Sequence, residues 1–114
     1  MPALNLIVIR SADIERMAAF YTTLGLLFTK HKHGDGPMHY ASDDGGMVIE
    51  LYPATEMHPP TTGLRLGFQV DGDEDVEGHL IPALKEKGGQ LFSSTTHLVV
   101  MLDPDGHKVH LTKA

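Results

Sequence analysis

Short apolar runs dominate the chain, and one stretch near its start repeats at helical spacing instead. Residues 4–10 are rich in branched apolar side chains and stop at Ser11-Ala12-Asp13, the pattern of a strand followed by a helix start. Asp13 is the expected N-cap. Ile14, Met17, Tyr21 and Leu24 then recur at helical spacing, Phe20 widens the stripe, and Gly25 supplies a left-handed stop. Residues 26–33 and 38–42 flank Gly34-Asp35-Gly36-Pro37 and read as a hairpin. A second turn at Asp43-Asp44-Gly45-Gly46 leads into a strand at residues 47–52. The order is strand, helix, three strands.

Residues 53–62 hold three prolines and no periodic apolar pattern, so they read as a linker. Beyond it the same order returns. Residues 64–70 form a strand pattern, and Asp73-Glu74-Asp75 put negative charge where a helix N-terminus favours it. Leu80, Ala83 and Leu84 supply the apolar spacing of a helix that ends at Gly88-Gly89. Pro82 disturbs it, because its ring would meet the carbonyl of Gly78 in a continuous α-helix; a kink or a late start is expected. Strands at 90–93, 97–102 and 108–112 complete the chain, the last two joined by Asp103-Pro104-Asp105-Gly106, a type I turn sequence. The chain thus reads as one domain, 1–114, with module one at 1–52, a linker at 53–62 and module two at 63–114. A lone βαβββ unit leaves a sheet face open, and pairing two gives an α+β fold, an eight-stranded half-open barrel with its helices outside.

Composition narrows the function classes. With 114 residues, 41% hydrophobic and 21% charged, the chain has the balance of one globular domain. It has no cysteine, which excludes disulfides and thiolate metal sites and fits a reducing cytoplasm. The opening apolar stretch is too short for a signal-peptide core or a membrane span, so a cytoplasmic protein that meets no membrane is expected. Fifteen acidic against nine basic residues give a net charge of −6, which repels phosphate backbones; nucleic acid is not an expected partner.

The segments LNLIVIRSADIERMAAFYTTLGL, MVIELYP and VVMLDPDGHKVHL together resemble the vicinal oxygen chelate superfamily, which unites glyoxalases, bleomycin resistance proteins and extradiol dioxygenases. The resemblance runs along nearly the whole chain. It implies the fold just described, a cleft for a small-molecule ligand, and a homodimer in which subunits complete one another's clefts. Metal-dependent members of the superfamily hold a divalent ion with His or Glu from the first and fourth strands of each half. The matching positions here are Leu6, Glu50, Arg65 and His110. Leucine offers no lone pair and arginine stays protonated, so only Glu50 and His110 remain as ligands.

Two readings follow. In the first, the metal site is degenerate, no cofactor is tightly bound, and the chain binds a small polar organic molecule. If it is an enzyme, Glu50 is the general base, Arg65 stabilises an anion or oxyanion, and His110 is an acid or second base. In the alternative, Glu50 and His110 hold a divalent zinc, nickel, manganese or iron ion for a glyoxalase-like lyase or a dioxygenase. Strand parity puts Val48, Glu50 and Tyr52 on one face, with Lys108 and His110 on another such face and Arg65 and Gln69 on a third. Leu6, Val8, Tyr52, Gln69 and Lys108 are the expected ligand contacts. His31, His33 and His39 flank a glycine turn, and a metal site among them is geometrically possible, but solvated hairpin histidines are the commoner case.

Overall fold

The computed structural model describes residues 1–43 and 46–114. The chain divides into two compact units, Met1–Thr61 and Thr62–Ala114. In the first, β1 (Leu6–Ser11) leads into α1 (Ile14–Leu24), followed by β2 (Phe28–His31), β3 (His39–Asp43) and β4 (Val48–Pro53). The sheet order is β1-β4-β3-β2, with β1 and β4 parallel and the remaining pairs antiparallel. In the second, β5 (Arg65–Val70) leads through a π-helical turn (Val76–Leu80) into α2 (Ile81–Glu86), then β6 (Gln90–Ser94), β7 (Val99–Leu102) and β8 (Lys108–Lys113). Its order, β5-β8-β7-β6, repeats the first with the same parallel pairing of first and last strands. The α+β class and the two βαβββ modules are those expected from the pattern. The turn expected at Asp43-Asp44-Gly45-Gly46 lies partly outside the described residues.

The ends of α1 are set by the residues that the sequence marks. Asp13 accepts a hydrogen bond from the Arg16 backbone N–H at 3.1 Å, satisfying one of the donors that every helix start leaves open. Gly25 has φ of 128°, in the region that favours glycine, and its N–H reaches the carbonyls of Tyr21 and Thr22. Between these ends Met17, Ala18, Phe20 and Tyr21 are buried, and α1 packs on β4, β1 and β3. Ile9, Leu51 and Ile49 complete that core, so the odd-numbered row of β4 faces the helix and Glu50 faces away.

Pro82 produces its disturbance one turn early. The Asp75 carbonyl accepts from both His79 and Leu80 N–H at 3.0 Å, and Ile81 N–H reaches back to the Val76 carbonyl, widening the helix into a π-turn. The α-helical part starts only at Ile81, so Pro82 falls in its first turn, where a missing N–H costs nothing. Asp75 caps this turn by accepting from Gly78 N–H at 2.9 Å, and a Cβ on Gly78 would run into that carboxylate.

The proline-rich stretch does more than connect. Pro53 still belongs to β4, Ala54 N–H donates to the Ser11 carbonyl, and Thr61 pairs with Arg10 through both its N–H and its hydroxyl. The segment thereby satisfies backbone groups of β1, an edge strand.

On the outer side of module one, Glu15 of α1 accepts hydrogen bonds from Lys30 Nζ of β2 and the Tyr40 hydroxyl of β3. The hydrogen bond from Lys30, then that from Tyr40, holds the Glu15 carboxyl below its ordinary value, and the same contacts raise Lys30 and Tyr40. A lowered carboxylate contributes stability above its unfolded pKa and loses it as pH falls through the folded one; the raised groups lose theirs only as pH rises through the alkaline range. The clamp is therefore intact between these limits. Lys30→Met is expected to be slightly less stable than wild type at neutral pH by chemical denaturation, with the difference closing as pH falls below the ordinary carboxylate range; a pH-independent difference would assign the effect to packing.

Candidate functional site

The face of module one opposite α1 carries Glu50, and the sheet register decides its neighbours. Parallel pairing sets Val8 opposite Glu50 on one side, and antiparallel pairing sets Ala41 opposite it on the other. Leu6 pairs with Val48, one position further along the same face. Leu6 and Val8 are 47% and 41% exposed, so this edge of the face is apolar and uncovered. An open hollow of about 590 Å³, lined by Asn5, Leu6, Asp43, Gly46, Val48 and Glu50, lies at this end.

On the other side of Glu50 the face is built of polar rings. Arg10 and Tyr52 are register partners, and the Arg10 guanidinium lies 4.8 Å from the Tyr52 ring centroid while donating to the Pro53 carbonyl. The Tyr52 ring stacks on His39 at 4.2 Å and 9°. His31 and His33 continue the group, with centroids 5.8 and 5.1 Å from His39. His39 is 1% exposed and held at both ring nitrogens: Nδ1 donates to the Pro37 carbonyl at 3.2 Å, and Nε2 lies 3.4 Å from the Tyr52 hydroxyl and 3.7 Å from Glu50 Oε2. The Glu50 side chain itself is 20% exposed. Sequence reasoning placed Glu50, Tyr52, Leu6 and Val8 on this face but assigned no role to Arg10 and treated His39 as a hairpin histidine. The available signal was parity, since His39 and Ala41 alternate with Tyr40, which faces α1.

Module two presents the corresponding face by itself. Gly67 and Val100 flank His110, and Arg65 and Leu102 flank Lys108. Arg65 and Gln69 are exposed, whereas Lys108 and His110 are half-buried. The Lys108 Nζ stands 4.5 Å over the Phe92 ring, which β6 leaves 54% exposed at an irregularity in its pairing with β7. A separate hollow of about 390 Å³ lies near the π-helical turn and the β6–β7 connection, and holds none of the predicted site residues. His107, absent from the sequence-based candidates, is fully buried: its Nδ1 accepts from Leu64 N–H at 3.2 Å, which puts the proton on Nε2. Asp103 shapes the turn before it, accepting from Asp105 and His107 N–H.

These faces allow a test of the metal that the resemblance implies. The parallel ladders repeat, Leu6 on Val48 as Arg65 on Lys108, and Val8 on Glu50 as Gly67 on His110. The two matching first-strand positions are thus a hydrocarbon and a permanent cation, and neither fits a divalent ion. Among the described residues, no three His, Asp or Glu side chains gather as a metal site, and this includes the histidine group at His31, His33 and His39.

Residues 3–111 match the Glyoxalase/Bleomycin resistance protein/Dioxygenase superfamily. The chain belongs to this superfamily. Among solved structures it is similar to a glyoxalase/bleomycin resistance protein/dioxygenase family enzyme from Burkholderia phytofirmans PsJN, at 24% identity and TM-score 0.75 over 98% of both chains. It is also similar to TnmS3, an antibiotic binding protein from Streptomyces sp. CB03234, at 22% identity and TM-score 0.68 over 99% of this chain and 96% of that one. A third similar structure is lactoylglutathione lyase from Agrobacterium tumefaciens, at 15% identity and TM-score 0.67 over 98% and 93%. At these identities the likeness is one of fold. No curated protein gave a significant match. Among the described residues no helix is long and apolar enough to cross a membrane.

The Tyr52 and His39 rings stack across the β3–β4 pair. A double-mutant cycle with Tyr52→Leu and His39→Leu is expected to give a coupling of about 0.5–1.5 kcal/mol in chemical denaturation; additive effects would show that the rings merely fill space.

Proposed function

We propose that this superfamily member binds a small polar organic molecule against the open strand faces, without a tightly held metal. The carrying observation is the donor set: Leu6 and Arg65 stand at two of the matching ligand positions, while Glu50 and His110 keep theirs on the faces turned away from the helices. Glu50 is suited to accept a hydrogen bond from a hydroxyl or amine of the ligand, with Leu6 and Val8 offering an apolar strip beside it and Tyr52 a polar rim. Arg65 and Lys108 suit an anionic oxygen, with Gln69 and His110 as further polar contacts. If turnover accompanies binding, Glu50 is the base, Arg65 stabilises the negative charge that develops, and His110 is the acid or second base. α-Hydroxy acids carry both groups and α-keto acids the anionic oxygen, and these are the first substrates to try. The protein is further proposed to be cytoplasmic, on the ground that it lacks cysteine.

Protein purified without a histidine tag is expected to hold less than a stoichiometric amount of divalent metal, and chelators should leave its melting temperature unchanged. Restoring the donor set with Leu6→His and Arg65→His together should raise zinc affinity sharply. One equivalent of zinc, nickel, manganese or iron in wild type, released by Glu50→Ala or His110→Ala, would replace this reading with that of a metal-dependent lyase or dioxygenase.

A homodimer is the second part of the proposal. Edge strands at β2, β5 and β6, the part of β1 before Arg10, and the uncovered Leu6, Val8, Leu91 and Phe92 offer strand edge and apolar surface to a second copy. Light scattering at micromolar concentration should report twice the chain mass, and monomer alone would refute it.

A further inference from the structure

The strand face of module two carries two features that the proposed polar contacts leave unused, an aromatic ring and a glycine inside a strand. We infer that this face takes an aromatic carboxylate, its carboxylate held by Arg65 and Lys108 and its ring received by Phe92. This inference rests on the proposal that the module-two face binds a ligand.

Charge is the first observation. Arg65 and Lys108 are register partners on one face, and among the described residues neither makes an ion pair. Like charges set directly opposite one another on a sheet repel. The chain carries fifteen acidic residues, yet none of those described neutralises this pair. A bound carboxylate relieves that repulsion and offers a planar acceptor to the guanidinium fork.

A fault in the β6–β7 ladder delivers the ring. Gln90 pairs with Leu102 and Leu91 with Met101, so an unbroken ladder would set Phe92 opposite Val100; Ser93 takes that place instead, and Ser94 pairs with Val99. Phe92 is thus the extra residue of a β-bulge, a device that re-aims side chains beside binding sites. Its ring lies 4.5 Å from Lys108 Nζ and is still 54% exposed, and Leu102, the partner of both Lys108 and Gln90, floors the face between the two strands. An apolar π surface therefore stands beside the ammonium group, matching a ligand that carries a ring next to its charge.

Gly67 supplies room at the other end of this row. It lies between Arg65 and Gln69 on the same face of β5 and pairs with His110. Neither backbone nor packing requires a glycine there: its φ is outside the left-handed region, and a Cβ would meet only the His110 Cβ at 4.0 Å, an ordinary contact. A glycine inside a strand weakens it and marks places where a ligand comes close to the backbone. Here it leaves a notch next to Arg65 for the head group of the acid.

The test is calorimetric titration of the full-length, untagged protein with three probes. Mandelate and lactate share the α-hydroxy acid head and differ in the ring, and mandelamide keeps the ring but lacks the charge. Mandelate is expected to bind about tenfold tighter than either of the others. Phe92→Ser should weaken mandelate alone and so abolish its preference over lactate, whereas Phe92→Tyr should keep it. Gly67→Val, whose Cβ has room in the free protein, should weaken both acids; mandelate bound by it as by wild type places the ligand elsewhere and overturns the inference. If Phe92→Ser does not fold, Phe92→Leu, apolar but without the ring, must reduce the preference, and an unchanged preference there overturns the inference.

Arg65→Gln separates this outcome from the wider proposal. Equal binding of mandelate and lactate by wild type, with both weakened in Arg65→Gln, keeps the ligand reading and overturns the inference. Parallel loss of both acids in Phe92→Ser would show that the ring only steadies Lys108, and overturns it too. Mandelate binding intact in Phe92→Ser, with the dimer lost in light scattering, assigns the ring to a subunit interface and overturns it. If neither acid binds, or Arg65→Gln binds both as wild type does, the module-two face is not the ligand site, and the inference falls with that proposal.

Discussion

The parallel pairing of the first and last strand of each module is the constraint from which the rest follows. Hairpins such as β2–β3 and β7–β8 close over short turns and form from local sequence. The β1–β4 and β5–β8 ladders instead join strands separated by a helix and two other strands, so their formation orders the whole module. They also decide orientation. A slip of one residue in either ladder would turn Glu50 or His110 toward the helix and an apolar residue toward the opposite face. The burial of Leu51 and Val109, each 0% exposed, ties the register to the core and keeps the polar row outward.

Repetition of one register in both modules makes the chemical differences between them informative. Matching positions hold Leu6 and Arg65 on the first strands and Glu50 and His110 on the last. One face is then an apolar strip beside a carboxylate, and the other is a set of nitrogen cations and donors around an imidazole. A divalent ion requires lone pairs directed at one point, and these substitutions remove two of them. What remains on each module is a polar strand face whose side chains suit hydrogen bonding more than ligation of a metal.

Among the described residues the buried polar side chains include two histidines, His39 and His107. His107 is fixed by the turn from Asp103 to Gly106, whose carboxylate and carbonyl organise the backbone that delivers the imidazole to Leu64 N–H. His39 is fixed by Pro37 and by the Tyr52 ring. A buried ring nitrogen is costly unless it finds a partner, and each of these rings has one nitrogen committed to a backbone group. In His39 the second nitrogen lies 3.4 Å from the Tyr52 hydroxyl, so both ring nitrogens have partners.

Pattern alone determined the two βαβββ modules, the Asp13 and Gly25 ends of α1 and the faces of β4 and β8, because periodicity, capping and turn chemistry act over a few residues. It also showed that Leu6 and Arg65 cannot ligate a metal, which depends only on side-chain type. The conformation around Pro82 was legible as a disturbance but not as a π-turn, since the choice between a kink and a widened turn depends on how Val76, Leu80 and Leu84 settle into the core. The linker's grip on β1 through Thr61 was invisible, because nothing in a proline-rich stretch states which edge it will cover. The same holds for Arg10, Tyr52, His39 and Glu50. Their residue types were plain in the chain, but their convergence is a product of strand order, since only the neighbouring of β1, β4 and β3 brings Arg10 over the Tyr52 ring and Tyr52 against His39.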